Sequence, residues 1–270
     1  MKLEFTDQMQ RKVCVEFPPR RIISLVPSQT ELLYDLGLDK EVVGITKFCV
    51  HPNEWFRRKT RVGDTKQVKL DIIEQLQPDL IIGNKEENER SQIEALATKY
   101  PVWMSDVYTL NDAVNMIEAI GELVDKAENA KNLSKRINVA FDTFHKECTT
   151  PTLRAAYFIW RKPYIVVASD TFIDEMLRIA GFVNVFAERN RYPDITLEEL
   201  AEAAPKIILL SSEPYPFKEK HFDEFKRVCP NAVIKLVDGE LFSWYGSRLL
   251  HTPAYFRRLL NESLIDLVNS

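Results

Sequence analysis

Glycine is scarce in this 270-residue chain, at eight residues, and histidine is scarcer still, at four. The glycines form neither a GxxxxGKS/T loop nor a GxGxxG turn after a strand, which removes the usual cradles for nucleotide phosphates. HExxH and GxSxG are absent too, so zinc-protease and serine-hydrolase chemistry has no foothold. His51, His145, His221 and His251 lie far apart and give a catalytic or metal cluster little material. The four cysteines, Cys14, Cys49, Cys148 and Cys229, form no CxxC pair. That excludes a zinc ribbon or a thioredoxin motif, and four thiols in so long a chain do not make a disulfide scaffold. They read as reduced, mostly buried side chains. No segment approaches the ~20 apolar residues needed to span a bilayer, so no membrane insertion is expected. With 36 basic and 40 acidic residues the net charge is −4, and no polybasic run stands out. Nucleic acid and anionic membrane surfaces are therefore poor partners. The N-terminus, MKLEFTDQMQRKVCVEF, has no apolar signal-peptide core and no small-residue cleavage site. The expectation is a cytoplasmic chain, or one whose leader has been removed.

What is present is a normal globular balance, 45% hydrophobic and 28% charged, enough for two cores of ordinary size. Arg21-Ile-Ile-Ser-Leu-Val26 reads as a buried parallel strand ended by Pro27. Ser28-Gln-Thr-Glu31 has capping-box spacing and predicts a helix that starts there and stops at Gly37. Val42–Ile45 is a second strand, Leu70–Leu76 a helix closed by Pro78, and Asp79–Gly83 a third strand. A helix over Ser91–Tyr100 and a strand over Val102–Met104 follow. This alternation is the signature of a parallel α/β lobe.

From Asn111 to about Cys148 there is no proline, and Ala130, Leu133, Ile137, Ala140, Phe141 and Phe144 recur at helical spacing. A short helix and one long helix are predicted, with Pro151 marking a boundary. The second half repeats the α/β rhythm. Strands are expected over Arg154–Trp160, Tyr164–Val167, Lys206–Leu210 and Ala232–Val237, and helices over Thr171–Ala180 and from near Pro253 to Val268. Thr196-Leu-Glu-Glu199 is a second capping-box spacing. The resulting plan is an N-terminal lobe over 1–109, a helical linker over 110–150 and a C-terminal lobe over 151–270. A single long helix between lobes is stiffer than a loop hinge and predicts small opening motions.

In open α/β sheets ligands sit beyond the carboxyl ends of the strands, so the loops there are the candidate site. Phe48, Cys49 and His51 follow the second strand, with either a stacking or metal-edge role or a plain core-and-turn role. Asp64 and Thr65 lie in a turn before a helix. Trp160, Arg161, Lys162 and Tyr164 form an aromatic–basic tip that suits a ligand with a π-face and carboxylates, or a surface turn. Arg191 and Tyr192 make a second such loop, and Trp244, Tyr245 and Arg248 a third, all three assigned to the second lobe. Three such loops in one lobe favour a binding function. Nothing suggests catalytic residues or a resident metal.

Phe5-Thr-Asp-Gln-Met-Gln-Arg-Lys-Val13 and Pro19-Arg-Arg-Ile-Ile-Ser-Leu-Val-Pro-Ser-Gln-Thr-Glu31 resemble the opening of class III periplasmic binding proteins. Lys69-Leu-Asp-Ile-Ile-Glu-Gln-Leu-Gln-Pro-Asp-Leu-Ile-Ile82 resembles the family's helix–Pro–strand motif. Thr196-Leu-Glu-Glu-Leu200 with Ala204-Pro-Lys-Ile-Ile208 resembles it again in the second half. The similarity covers nearly the whole chain. It implies two Rossmann-like lobes with parallel sheets, bridged by one long backbone α-helix. It also implies a periplasmic or cell-surface receptor, expected to be a monomer, for an ABC importer. The ligand would be cobalamin or another corrinoid, a ferric siderophore or haem, held between the lobes, with no intrinsic cofactor. By position, Asp71 and Glu198 would face arginines of the permease that works with its ATPase. Asp64–Thr65 stands where vitamin-binding relatives carry an aromatic residue. The rival readings are a cytoplasmic tetrapyrrole enzyme such as a chelatase, which needs carboxylates converging on His51, and an interaction module that kept the fold.

Overall fold

A computed structural model describes residues 1–148 and 153–269. The chain divides into two compact units. One comprises Met1–Val107, Asn111–Ile137 and Trp244–Arg248, and the other Tyr108–Leu110, Asn138–Ser243 and Leu249–Ser270. The lobe boundary expected at Pro151 lies outside the described residues.

The first unit holds a five-stranded, all-parallel sheet in the order Thr60–Arg61, Val42–Ile45, Ile22–Ser24, Leu80–Asn84 and Val102–Ser105. Its central strands are short and buried on both faces, which is why they read as apolar runs without alternation. Helix Leu70–Leu76 packs closely on this sheet at Gly44, where an added Cβ would lie 2.8 Å from Val62 and 2.9 Å from Leu76. The N-terminal residues form an antiparallel hairpin, Lys2–Thr6 with Lys12–Glu16, not expected from the sequence. Its turn seals the edge strand: Gln8 N–H donates to Met104 O (3.1 Å), and the enclosed Asp7 carboxylate accepts from Met104 N–H (3.3 Å) and Arg11. An unsealed edge strand invites pairing with another chain.

The helical stretch contains two helices, Leu110–Leu123 and Ala127–Glu147. Gly121 costs helix propensity, but a Cβ there would meet the Ala130 Cβ at 2.2 Å, so the close approach of the two helices requires it. The long helix gives residues up to Ile137 to the first unit and those from Asn138 to the second.

The second unit holds a six-stranded sheet with the path Asp194–Ile195, Tyr164–Val166, Leu153–Trp160, Ile207–Ser211 and Val233–Val237, and Phe182–Asn184 pairs with Leu153–Trp160. Tyr164–Val166 runs antiparallel to both neighbours, so this sheet is mixed at one margin and parallel elsewhere. The reason is local: Trp160 to Tyr164 leaves room only for a hairpin, and a parallel partner needs a crossover of a dozen or more residues. Short helices at Asn53–Arg58 and Glu240–Ser243 were not expected from the sequence.

The two helix–Pro–strand motifs share one construction. Helix Leu70–Leu76 ends on Gln77 (φ 45°) before Pro78, and helix Leu197–Ala203 ends on Ala204 (φ 46°) before Pro205. An arginine at the start of a central strand, Arg21 just before Ile22–Ser24 and Arg154 in the second position of Leu153–Trp160, satisfies the open helix end. Arg21 Nε donates to Leu76 O (2.8 Å) and an Arg154 terminal nitrogen to Ala203 O (2.7 Å). The same arginines accept through their own carbonyls from Asp79 N–H (3.0 Å) and Lys206 N–H (2.8 Å). Terminal helix carbonyls lack intrahelical donors, and each unit meets that need in the same way.

The two capping-box spacings part company. Thr196 and Glu199 form the reciprocal box: Glu199 N–H donates to Thr196 Oγ1 (3.2 Å) and Thr196 N–H to Glu199 Oε2 (2.7 Å). Ser28 and Glu31 do not. The helix there spans Pro27–Asp35 with Val26 as its N-cap, Pro27 in the first turn and no side-chain cap. Proline is preorganised for the first helical position and fixes the start two residues early, with Val26 rather than Ser28 as the N-cap. Ser28 then lies inside the helix, and Glu31 is free for another partner.

Candidate functional site

In the first unit the loop after Val42–Ile45 puts Phe48 on the surface at 51% exposure, with Lys47 Nζ 4.9 Å from its ring centre. Lys47 also pairs with Asp64 (3.1 Å). Asp64 turns the chain by accepting from Lys66 N–H (2.9 Å) and Gln67 N–H (2.6 Å). Burial opposes its ionisation, but the Gln67 amide, Lys47 and the Lys66 amide outweigh that and hold the carboxyl below its usual range. Thr65 is nearly buried, and its carbonyl accepts from Asn88 Nδ2 (2.9 Å).

Of the two roles open to Cys49, the structure gives it the core one, so it is not a ligand contact. It has no exposed surface, and its sulfur sits 3.1 Å from both Thr30 Oγ1 and Thr46 Oγ1. Burial pushes the thiol up, as befits a packed core group.

A correction concerns Trp244, Tyr245 and Arg248. They belong to the first unit, although the chain on either side belongs to the second. This strap lies on helix Pro27–Asp35 so closely that a Cβ on Gly246 would come 2.6 Å from Ser28 O. Arg248 grips Glu31 with two nitrogens, Nε at 2.9 Å and a terminal nitrogen at 2.6 Å. Its guanidinium carbon lies 4.7 Å from the Trp244 ring centre. Ser247 Oγ donates to Asp35. The Trp244 ring meets the His51 ring edge-on at 5.6 Å. Trp244 and Tyr245 are each 7% exposed, so they back the loop and present little surface. Burial lifts the Glu31 carboxyl above the usual glutamate value, even though Arg248 pulls it down.

In the second unit the Trp160–Tyr164 tip carries a 39% exposed Trp160, whose indole N–H donates to Lys162 O (3.2 Å) and whose ring packs on Tyr215 at 5.7 Å. Lys162 is exposed. Arg161 is not a spare cation: it forms a bidentate pair with Glu224, both contacts at 2.9 Å, and Tyr164 Oη donates to the same carboxylate (3.1 Å). Donating hydrogen bonds to the Glu224 carboxylate raises the Arg161 pKa, and Arg161 and Tyr164 hold Glu224 low against its burial. Arg191 adopts a left-handed backbone (φ 60°), fixed by its N–H on Ser169 O (2.8 Å) and by Ala168 N–H on its carbonyl (2.8 Å). Its guanidinium carbon lies 5.8 Å from the Tyr192 ring centre.

Sequence reasoning missed Glu31 and Glu224, the acids that engage Arg248 and Arg161. Glu224 carries no local signal. Glu31 carried one, a capping-box spacing, that pointed elsewhere. Among the described residues no group of three or more histidines, cysteines or acids converges to hold a metal.

The family model for periplasmic binding proteins matches residues 22–228. The vitamin B12-binding protein of Vibrio parahaemolyticus is 28% identical over 197 residues, 72% of this chain and 71% of its own length. The ABC transporter substrate-binding lipoprotein YvrC of Bacillus subtilis is 28% identical over 259 residues, 90% of this chain and 81% of its own. The crystal structure of the periplasmic vitamin B12-binding protein BtuF of Vibrio cholerae superimposes with a TM-score of 0.78 at 22% identity, covering 92% of this chain and 99% of that one. At that identity the likeness speaks for the fold. The match supports a substrate-binding role over the chelatase reading. This chain belongs to the periplasmic binding protein family, the substrate-binding, non-enzymatic components of ABC importers.

Proposed function

We propose that this chain captures a metal chelate, a corrinoid first and a ferric siderophore or haem next, and delivers it to an ABC permease. One observation carries the reading: each unit sets an exposed aromatic ring beside basic residues at the carboxyl end of a strand. These are Phe48 with Lys47, and Trp160 near the exposed Lys162. A broad conjugated ligand that also carries negative charge suits that pairing of π-face and cation. The B12-binding relatives point to the same ligand class. Asp64 and Thr65 in the first unit, and Tyr164, Arg191 and Tyr192 in the second, are the further proposed ligand contacts, and Arg161 acts through its pair with Glu224.

Asp71 and Glu198 are the proposed permease contacts. Both are exposed in the first turn of a helix, Leu70–Leu76 and Leu197–Ala203. Glu199 is occupied by the capping box, so Glu198 is the acid of that turn left to face outward. The working form is a monomer in the periplasm or at the cell surface, served by a permease with its ATPase.

The test is a titration with cyanocobalamin, haemin and a ferric hydroxamate, read by the visible spectrum and tryptophan fluorescence. Binding of one of them is expected, and Phe48→Ala should weaken it about tenfold, the worth of one stacking contact of about 1.4 kcal/mol. No response to any of the three overturns the proposal.

A further inference from the structure

Glu31 has the sequence spacing of a helix-capping acid, yet it caps nothing. Its carboxylate is spent on Arg248, with the two side chains 17% and 16% exposed. A pair this enclosed returns little net stability, because each charge loses its water. Consistent with that, ionised Glu31 is disfavoured by the fold even with Arg248 on it. Other contacts already hold the strap: Ser247 on Asp35, and the Gly246 backbone against Ser28. What the pair adds is orientation. The guanidinium fork is planar and rigid, so two hydrogen bonds fix its plane. That plane rests on the Trp244 ring, the Trp244 ring on the His51 edge, and His51 closes the loop that carries Phe48.

We infer that Glu31 is a positioning residue: acting through Arg248, Trp244 and His51, it sets the Phe48 loop in the conformation that receives the ligand. The inference rests on the proposed function, in which Phe48 is a ligand contact. It does not make Glu31, Arg248 or Trp244 touch the ligand. It holds that a preset loop binds more tightly than one that must be ordered on binding.

Two readouts test it. In a Trp160→Phe background the remaining tryptophans, Trp55, Trp103 and Trp244, are all buried. Acrylamide quenching is then low, and Glu31→Gln should raise it at least about twofold as Trp244 loosens, with far-UV circular dichroism unchanged. Glu94→Gln, which breaks the exposed Arg90–Glu94 pair, is the control and should leave quenching alone. In the titration with cyanocobalamin, Glu31→Gln should weaken binding about tenfold in the native background but less than about twofold in Phe48→Ala, since a residue that works through Phe48 has nothing left to position. Arg248→Lys keeps the charge, loses the fork and serves as the second variant if Glu31→Gln does not fold. Unchanged quenching, or an equal loss of affinity with and without Phe48, overturns the inference. If the native chain binds none of the chelates, the proposed ligand class falls, while quenching still decides whether Glu31 holds Trp244.

Discussion

The first turns of two helices, one in each unit, carry the same four-residue spacing and use it differently. At Thr196–Glu199 the hydroxyl and the carboxylate serve the helix that contains them. At Ser28–Glu31 neither does, and the carboxylate reaches a strap more than two hundred positions away in sequence. The difference traces to one residue. Pro27 occupies the first helical position, moves the start ahead of Ser28 and frees Glu31. A local spacing thus specifies a local structure only where nothing nearby fixes the helix start first, and where no distant partner competes for the side chain.

Four substitutions and one titration can break or sharpen this comparison. Arg248→Ala should be the most damaging, at about 3 kcal/mol, because it leaves the Glu31 charge enclosed without a partner; urea unfolding measures it, and a loss below about 1 kcal/mol would mean that water reaches Glu31 freely. Gly246→Ala comes next, at about 2 kcal/mol, because its methyl group would meet the Ser28 backbone. Thr196→Ala should cost about 1 kcal/mol, the worth of a working N-cap. Its counterpart Ser28→Ala should cost less than about 0.5 kcal/mol, since no cap is lost. A Ser28 loss as large as that of Thr196 would restore the capping box at the first helix.

The titration concerns slope. Glu31 has a folded value above its ordinary one of 4.5, so the folded chain holds that proton more tightly than the unfolded chain does. The stability linked to the proton is present below the unfolded value and is lost as pH rises through the folded one. Denaturation at about pH 4 and about pH 7 should therefore show the native chain losing stability relative to Glu31→Gln as pH rises. The groups that face Glu31 are Arg248 from the strap, Asp35 from its own helix and His51 from the loop. An opposite slope would mean that Arg248 outweighs burial.

The helix–Pro–strand motifs supply the converse lesson. They were legible in sequence, and the structure builds both alike, down to the left-handed residue before each proline and the arginine on the helix end. The left-handed residue and the proline are local to each motif, whereas the arginine reaches the helix end from 55 and 49 positions earlier, so the motif carries only the first part of its instructions. The hairpin tip at Trp160–Tyr164 was half legible: its aromatic and basic character was plain, but not that Glu224 would claim Arg161. Lone carboxylates on amphipathic helices look alike, and only packing selects one.

The sequence by itself determined the alternation of strands and helices, the long helix over Ala127–Glu147, the repeated helix–Pro–strand device and the family. Each is written in periodicity, proline placement or short-range capping, and those operate over a few residues. Only the tertiary structure decided which side chains meet. It sent Trp244–Arg248 to the first unit, enclosed Cys49, gave Glu31 to Arg248 and Glu224 to Arg161, and left Phe48 and Trp160 exposed. Charge pairing and ring packing act across space and leave no spacing in the chain to read.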